Sequence, residues 1–298
     1  MGTETLDWND FRFFLAVARA GTLSNAAKAL GVDNATVGRR ISSLEASLGA
    51  QLFDRSPQGY RLTALGEALT SSAERVEVSV MGAKARVDDL QNSTTGSLRI
   101  GATDAFGTYF MAPRLAKLKL ELPGMHIDLV ALTGILSLSK READIAIGIA
   151  RPDQGRLFSR KLTMFRLGLY ASYDYLASHP EISTVEDLTA HPVINWVSSL
   201  MYDPSLNYIS EVNPRIVPQY GCSNLVTQMK ATVGGAGVCA LPHYLARSEP
   251  TLRPILADTV EIELPYYLTV HADLHELSHI RKAIDFIVSE VDQFRSGF

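Results

Sequence analysis

Near the end of the chain, His275-Glu276-Leu277-Ser278-His279 fits H-E-x-x-H, the pattern with which many metalloproteases hold zinc. Two histidines four positions apart on a helix can share one metal, and the glutamate can take a proton from metal-bound water. Such a site needs a third ligand. The extended form of the motif puts Gly at 282 and His at 285, where this chain has Lys282 and Asp285, and only 19 residues follow His279. The stretch reads instead as the start of the last helix, whose core stripe is Leu277, Ile280, Ala283, Ile284, Ile287 and Val291.

Other chemistry-bearing patterns dissolve in their context. Gly235-Ala236-Gly237-Val238-Cys239-Ala240 fits G-x-G-x-x-A, the nucleotide-binding turn. That turn must follow a strand and open a helix, whereas here a helix precedes and a strand follows. Ser137-Leu138-Ser139-Lys140 fits the S-x-x-K of penicillin-binding enzymes without the companion S-D-N and K-T-G. Cys239 lies in an apolar strand as a core thiol, and Cys222, near the expected cleft, is the better candidate for reactivity. No catalytic residue, metal or cofactor is expected.

A chain of 298 residues suffices for two or three domains, and 46% hydrophobic with 20% charged residues is ordinary for a globular protein. No apolar run approaches the roughly 20 residues of a membrane helix. The opening MGTETLDWND is acidic and polar, unlike a secretory signal, and two cysteines make a disulfide scaffold implausible; both point to the cytoplasm. The net charge of −4 does not by itself announce a nucleic-acid partner.

Residues 6–48 read as three helices. In the first, Phe11, Phe14, Leu15 and Ala18 share a buried face, and Gly21 stops it. The second opens at Ser24 as N-cap, buries Ala26, Ala27 and Leu30, and ends at Gly31. A short Gly31-Val32-Asp33 turn leads to the third, so the pair forms a helix-turn-helix. Val37, Ile41, Leu44 and Leu48 form the apolar stripe of that third helix. Opposite it, at about 100° per residue, lie Ala35, Arg39 and Ser42, flanked by Thr36, Gly38 and Ser43. Small side chains admit a helix to the roughly 12 Å wide major groove, and arginine can contact guanine bidentately. Asn34 can reach an adenine edge or a phosphate. A hairpin follows around Ser56-Pro57-Gln58-Gly59, a wing whose Arg55 and Arg61 suit phosphate contacts. Residues 1–62 carry seven Lys/Arg against six Asp/Glu, so a useful affinity needs two or more copies.

From Thr63 to Leu90 no proline occurs and a heptad register holds: Leu69, Ala73, Val76, Val80, Ala83, Val87 and Leu90 form an a/d seam that predicts dimerisation. Glu77 and Lys84, both at e positions, would meet across an antiparallel pair. Residues 91–96 read as a hinge. Beyond it, strands SLRIGAT, HIDLVAL, ADIAIGI, RLGLYA, PVINW, GVCALP and YYLTVHA alternate with helices MAPRLAKLKLEL, NLVTQMKATV and ELSHIRKAIDFIVSEV. The alternation predicts parallel sheets in two α/β lobes with a ligand cleft between them. Helix starts after Thr103-Asp104-Ala105 and at Ser223-Asn224 would favour an anion in the cleft, with Asp104 opposing it on its side.

Taken together, FLAVARAGTLSNAAKALGVDNATVGRRISSLEASLGAQLFDR, the wing ending RLTALG, READIAIG and GAGVCALP resemble the LysR-type transcriptional regulators, strongly over residues 6–66 and more loosely beyond. The resemblance implies an α/β chain with an N-terminal winged helix-turn-helix (1–62, motif 22–41), a linker and dimerisation helix (63–92), and a two-lobed effector domain resembling periplasmic binding proteins. Lobe I would comprise 97–163 and 265–298, and lobe II 164–264. It implies a homotetramer built as a dimer of dimers on partly palindromic double-stranded promoter DNA, a small-molecule effector that alters tetramer geometry, and RNA polymerase as a further partner. Arg40 joins Asn34, Ala35, Thr36, Arg39, Ser42, Arg55 and Arg61 as DNA-binding; many members carry Ser at Gly38 and Gln at Arg40. The effector cleft would draw on Asp104, Ala105, Thr133, Gly134, Gly148, Trp196, Ser223 and Asn224. The alternatives are a small-solute-binding protein whose N-terminal domain serves only assembly and, last, a zinc peptidase acting through residues 275–279.

Overall fold

The structure is a computed structural model that describes residues 6–90, 96–134, 143–151 and 157–298; of residues 84–86 and 88–90 it describes the backbone alone. The Ser137–Lys140 motif lies outside the described residues. The chain divides into two compact units, Met1–Gln91 and Asn92–Phe298.

In the first unit, α1 (Trp8–Ala20) is capped by Asp7, whose carboxylate accepts the Asn9 N–H at 2.9 Å, and it ends at Gly21 in the left-handed region. α2 (Leu23–Leu30) opens not at Ser24 but at Thr22, whose hydroxyl accepts the Asn25 N–H at 3.3 Å. Gly31 ends it at φ 69°, as the sequence predicts. α3 (Asn34–Leu48) is capped by Asp33. Phe14, Leu15 and Val17 of α1, Ala26 and Ala27 of α2, and Val37, Ile41 and Leu44 of α3 bury together. Leu48 departs from the expected stripe: it is 39% exposed, because the helix runs past the edge of this core before Gly49 closes it.

The wing is β1 (Phe53–Ser56) paired antiparallel with β2 (Gly59–Leu62), Ser56 opposite Gly59. Phe53 ties it to the core, its ring 5.3 Å from Phe14 and 5.7 Å from Tyr60. The Glu45 carboxylate joins α3 to the wing by accepting the N–H groups of Leu52 (2.8 Å) and Phe53 (3.3 Å). Next to them the Tyr60 N–H donates to the Gly21 carbonyl at 2.8 Å, so the cap of α1 and the wing share one contact.

α4 (Ala64–Leu90) is unbroken over 27 residues, about 40 Å at 1.5 Å per residue. The seam expected on it divides. Ala73 is fully buried in the core of the helix-turn-helix unit, and Leu69 packs against that core, so both serve their own unit and not a partner. Val80 and Val87 are 64% and 53% exposed, and Ala83 is exposed; the side chain of Leu90 lies outside the described residues. Glu77 also departs from its expected role, since it accepts from the Arg19 guanidinium of α1 at 2.8 and 3.3 Å. The side chain of Lys84 lies outside the described residues.

The second unit runs β3 (Gly96–Thr103), a wide π turn at Phe106–Met111, α5 (Leu115–Glu121), β4 (Met125–Leu132), β5 (Ile145–Gly148), β6 (Leu157–Ser172), α6 (Tyr173–Ser178), β7 (Val193–Trp196), α7 (Tyr208–Val212) and β8 (Tyr220–Cys222). It continues with α8 (Leu225–Val233), β9 (Val238–Pro242), α9 (His243–Ala246), β10 (Leu252–Ile255), β11 (Ile262–His271), α10 (Ala272–His275) and α11 (Ser278–Gln293). β3 pairs parallel with β4 and β5, and β7 parallel with β8 and β9. The sheet is nevertheless mixed, not parallel as expected. β6 and β11 run antiparallel to each other through both strand groups, with β5 against β11 and β9 and β10 against β6. RLGLYA is the second half of a 16-residue strand, which is why a local reading missed its first half.

The helix-to-strand turn at Gly235–Gly237 is as predicted: a Cβ on Gly237, at φ 144°, would lie 2.1 Å from the Pro192 carbonyl oxygen. The last helix begins later than expected, because His275 ends α10 and Ser278 begins α11. His275 and His279 therefore sit on different helices, with the His275 ring 4.1 Å from Phe158.

Gly59 is the residue on which wing docking turns. At φ 131° it holds a backbone that L-residues rarely adopt, and a Cβ there would meet the Gly21 carbonyl oxygen at 2.4 Å. Gly59→Ala should cost about 1–3 kcal/mol and lower the urea midpoint of the first unfolding transition; an unchanged midpoint would show that the wing does not rest on Gly21.

Candidate nucleic-acid interface and ligand cavity

With Val37, Ile41 and Leu44 at 0–1% exposure, α3 has one orientation available, and its outer face follows. Ala35, Arg39 and Ser42 are all exposed on it. Arg39 has no ion-pair partner among the described residues, so its guanidinium is available. A Cβ on Gly38 would meet only Leu23 Cδ1, at an ordinary 3.7 Å, so the packing of this unit does not require glycine there.

The start of α3 is more committed than the sequence suggests. The N–H and hydroxyl of Thr36 both donate to Asp33, at 2.7 and 2.9 Å, and hold its carboxyl below the usual carboxylate range. Thr36 is thus left with its methyl and hydroxyl lone pairs for a partner. The Asn34 amide donates to the Ser24 hydroxyl at 3.1 Å, a strap across the turn between α2 and α3.

Arg40 is the clear departure from the expected set. One residue on from Arg39 is about 100° around the helix, and there Arg40 Nη1 meets Asp7 at 2.8 Å and Asp10 at 3.1 Å, above the Phe13 ring. Asp10 is buried, so Arg40 neutralises a carboxylate inside the unit, and this pairing offsets the charge it could offer a partner. Arg55 on the wing is half-exposed but paired with Glu45 at 2.7 Å, which offsets its charge. Arg61 on the other strand is exposed and has no ion-pair partner among the described residues.

In the second unit, the carboxyl ends of β3, β5 and β7 and the middle of β6 and β11 enclose a small cavity, the position at which open α/β sheets take ligands. It is lined by Thr103, Asp104, Ile149, Phe165, Leu167, Trp196, Tyr202, Leu206, Tyr208, Leu225, Leu264 and Tyr266. Its volume is about 10 Å³, barely one water. The Trp196 indole N–H donates to the Tyr208 hydroxyl at 3.0 Å, and the Tyr244 and Tyr266 hydroxyls pair at 2.9 Å. Burial pushes the phenols of Tyr202, Tyr208 and Tyr266 up, so all three are neutral.

Asp104 closes this cavity. Its Oδ2 accepts the Val226 N–H at 3.1 Å, across 122 residues, in the first turn of α8. Burial raises its carboxyl above the ordinary range, against the pull of the Val226, Ala105 and Leu225 N–H groups. The helix start expected to welcome an anion is therefore already held by the chain's own carboxylate, and Asn224 caps the same helix by accepting the Thr227 N–H at 2.7 Å.

Of the residues expected around a ligand, Asp104 and Trp196 line the cavity, while Ala105 is fully buried beside it. Ser223 and Asn224 stand at the head of α8; Thr133, Gly134 and Gly148 are not among the lining residues. Phe165, Tyr202, Tyr208 and Tyr266 escaped the sequence reading. The signal for Phe165 and Tyr266 lay in strand pairing, which sets Phe165 opposite Leu264 and stacks the two rings 4.2 Å apart. Cys222, singled out for reactivity, is partly buried with its thiol pushed up by burial, which disfavours the thiolate. Cys239 is a core thiol as expected, donating to Gln228 at 3.3 Å.

Comparison with known proteins follows this division. The profile described as "LysR substrate binding domain" matches residues 91–292, and that described as "Bacterial regulatory helix-turn-helix protein, lysR family" matches residues 8–67. The HTH-type transcriptional regulator CrgA of Neisseria meningitidis serogroup C is 26% identical over 283 residues, 93% of this chain and 95% of CrgA. The HTH-type regulator PtxR of Pseudomonas aeruginosa is 28% identical over 246 residues, 82% of this chain and 79% of PtxR. The solved structure of Neisseria meningitidis CrgA aligns at a TM-score of 0.60 and 25% identity, covering 95% of this chain and 98% of that one. ArgP from Mycobacterium tuberculosis shares the fold at a TM-score of 0.73 and 20% identity, covering 96% and 97%. The reading as a solute-binding protein with an assembly-only first domain finds no support in these likenesses. The chain belongs to the LysR family of transcriptional regulators, which bind DNA and small-molecule effectors and form oligomers, and it carries that family's helix-turn-helix and effector-binding domains.

Proposed function

We propose that this regulator reads a partly palindromic promoter site by laying α3 in the major groove, with Arg39 bidentate to a guanine and Ala35, Thr36 and Ser42 against neighbouring base edges. The observation that carries the reading is an exposed Arg39, without a partner among the described residues, beside side chains too small to hold it off the bases. Glycine at 38, which the unit's packing does not require, lets the helix sit deeper. Asn34 serves chiefly to position the helix, Arg61 contacts a phosphate, and Arg55 does so with its charge already shared with Glu45.

Residues 1–62 form the reading head and 63–92 the linker. The exposed Val80, Ala83 and Val87 supply the part of the seam left for a second copy. Two such dimers span the promoter, acting in the cytoplasm in company with RNA polymerase. The effector lies at the strand-end cavity, between a lobe of residues 97–163 with 265–298 and a lobe of residues 164–264. The Asp104–Val226 hydrogen bond across that boundary supports this division. We assign the chain no enzymatic activity, and the separation of His275 from His279 onto two helices weighs against a zinc peptidase.

Three outcomes are expected. In gel shifts on the selected site, Arg39→Ala loses about 1–3 kcal/mol of preference over random DNA, whereas Arg40→Ala keeps its preference and loses thermal stability, because Asp10 is left buried without its cation. Equal loss of preference in both variants would overturn the division of labour between these neighbours. Arg61→Ala should weaken binding to specific and random duplexes alike and flatten the log K against log salt slope by about 1 per site. A double variant Val80→Lys with Val87→Lys should shift the sedimentation profile toward smaller species; an unaltered profile would rule out the seam.

A further inference from the structure

The strand-end cavity has a chemical character that narrows its guest, given that it is the effector site. Its single carboxylate, Asp104, is held by backbone N–H groups at the head of α8, with Val226 at 3.1 Å. No side-chain cation pairs with it among the described residues, so this carboxyl group stands in a poorly solvated place with backbone N–H groups alone to balance its charge. A second anion at the same helix start would face this carboxylate directly. An ammonium group would instead find what it needs: a carboxylate acceptor and ring faces whose quadrupoles attract positive charge.

Thr103, next in the chain and 6% exposed, points independently to a missing partner. Its Oγ1 is buried, lines the cavity and makes no hydrogen bond of ordinary geometry among the described residues, its one interaction of that kind being a poor one with the Tyr266 hydroxyl. A donor on a guest would satisfy that hydroxyl oxygen. The rings complete the set. Trp196 and Tyr202 stand perpendicular with centroids 6.2 Å apart, and Tyr266, stacked on Phe165, also lines the cavity. A carboxylate, a poorly paired hydroxyl and rings in two orientations form the beginnings of an aromatic cage.

We propose that the effector is a small organic cation, with a primary or methylated ammonium group against Asp104 and Thr103 and an apolar body among Trp196, Tyr202 and Tyr266. At about 10 Å³ the cavity is shut, so entry requires the strand groups on either side of the Asp104–Val226 bond to part. The cation then supplies the counter-charge that the Val226 N–H does not. Specificity follows from the fixed carboxylate: guests bearing their own carboxylate at the same end are rejected, whatever the fit of their apolar body.

The test uses the full-length protein and three probes of matched shape: 2-phenylethylammonium, 2-phenylethanol and 3-phenylpropionate, with tetramethylammonium as a compact cation. Titration calorimetry and thermal melting should show the cations binding wild type, with affinity about tenfold or more above the alcohol and no response to the carboxylate. Asp104→Asn and Trp196→Leu should each abolish the cation's advantage; Thr103→Val, a near-isosteric change, gives a third reading should either fail to fold. If 3-phenylpropionate binds wild type and is lost in Trp196→Leu while the cations do nothing, the cavity is the effector site and the cation assignment is wrong. If the cations bind all variants as they bind wild type, their site lies elsewhere and both assignments fall. If none of the probes binds at millimolar concentration, the cation assignment is likewise overturned.

Discussion

Val37, Ile41 and Leu44 leave water along one side of a helix that turns about 100° per residue, and this one constraint dictates what the other side presents. Burying three branched aliphatic side chains is worth about 1.5–3 kcal/mol each, far more than any surface contact α3 makes. Rotation of α3 by a single residue would set Arg40 where Arg39 now stands and carry Arg39 on to the place of Gly38. The aliphatic rib therefore chooses between two adjacent arginines, sending one into the fold's own charge balance and leaving the other for a partner.

The rest of the first unit holds that choice in place. Asp33 pins the first turn of α3 through two groups of Thr36, Glu45 pins the last turns to the wing, and Arg40 staples the middle to α1. Gly59 lets the wing approach Gly21 closely enough for the Tyr60 hydrogen bond. The side chains spent on positioning are polar and look, in sequence, as suitable for DNA as those left over. What separates them is whether an acceptor lies within reach, a matter of tertiary placement.

This explains what the sequence discloses and what it withholds. The helix-turn-helix is legible because its signals are local: Gly21, Gly31 and Gly49 end helices at positive φ, and the 3–4 spacing marks the buried faces. Arg40 is not legible, since Asp7 and Asp10 lie some thirty positions away in the chain. The heptad in α4 divides, because its first turns bury Leu69 and Ala73 against α1–α3 before the remainder emerges. The cavity is the least legible feature. Phe165 and Tyr266 meet only because β6 and β11 pair antiparallel, and Asp104 reaches Val226 only because two parallel strand groups share those strands. A reading that counts alternating strands and helices supplies the parallel groups and misses the antiparallel pair between them.

The claim that α3 turns Arg39 to a guanine in the major groove is tested most directly by methylation interference, since methylating guanine N7 blocks the atom a bidentate arginine requires. On a selected operator, premethylation of one guanine per half-site should prevent wild-type binding and become neutral for Arg39→Ala. A protected site at which no guanine N7 matters, or at which the same guanine interferes equally with both proteins, would contradict the account.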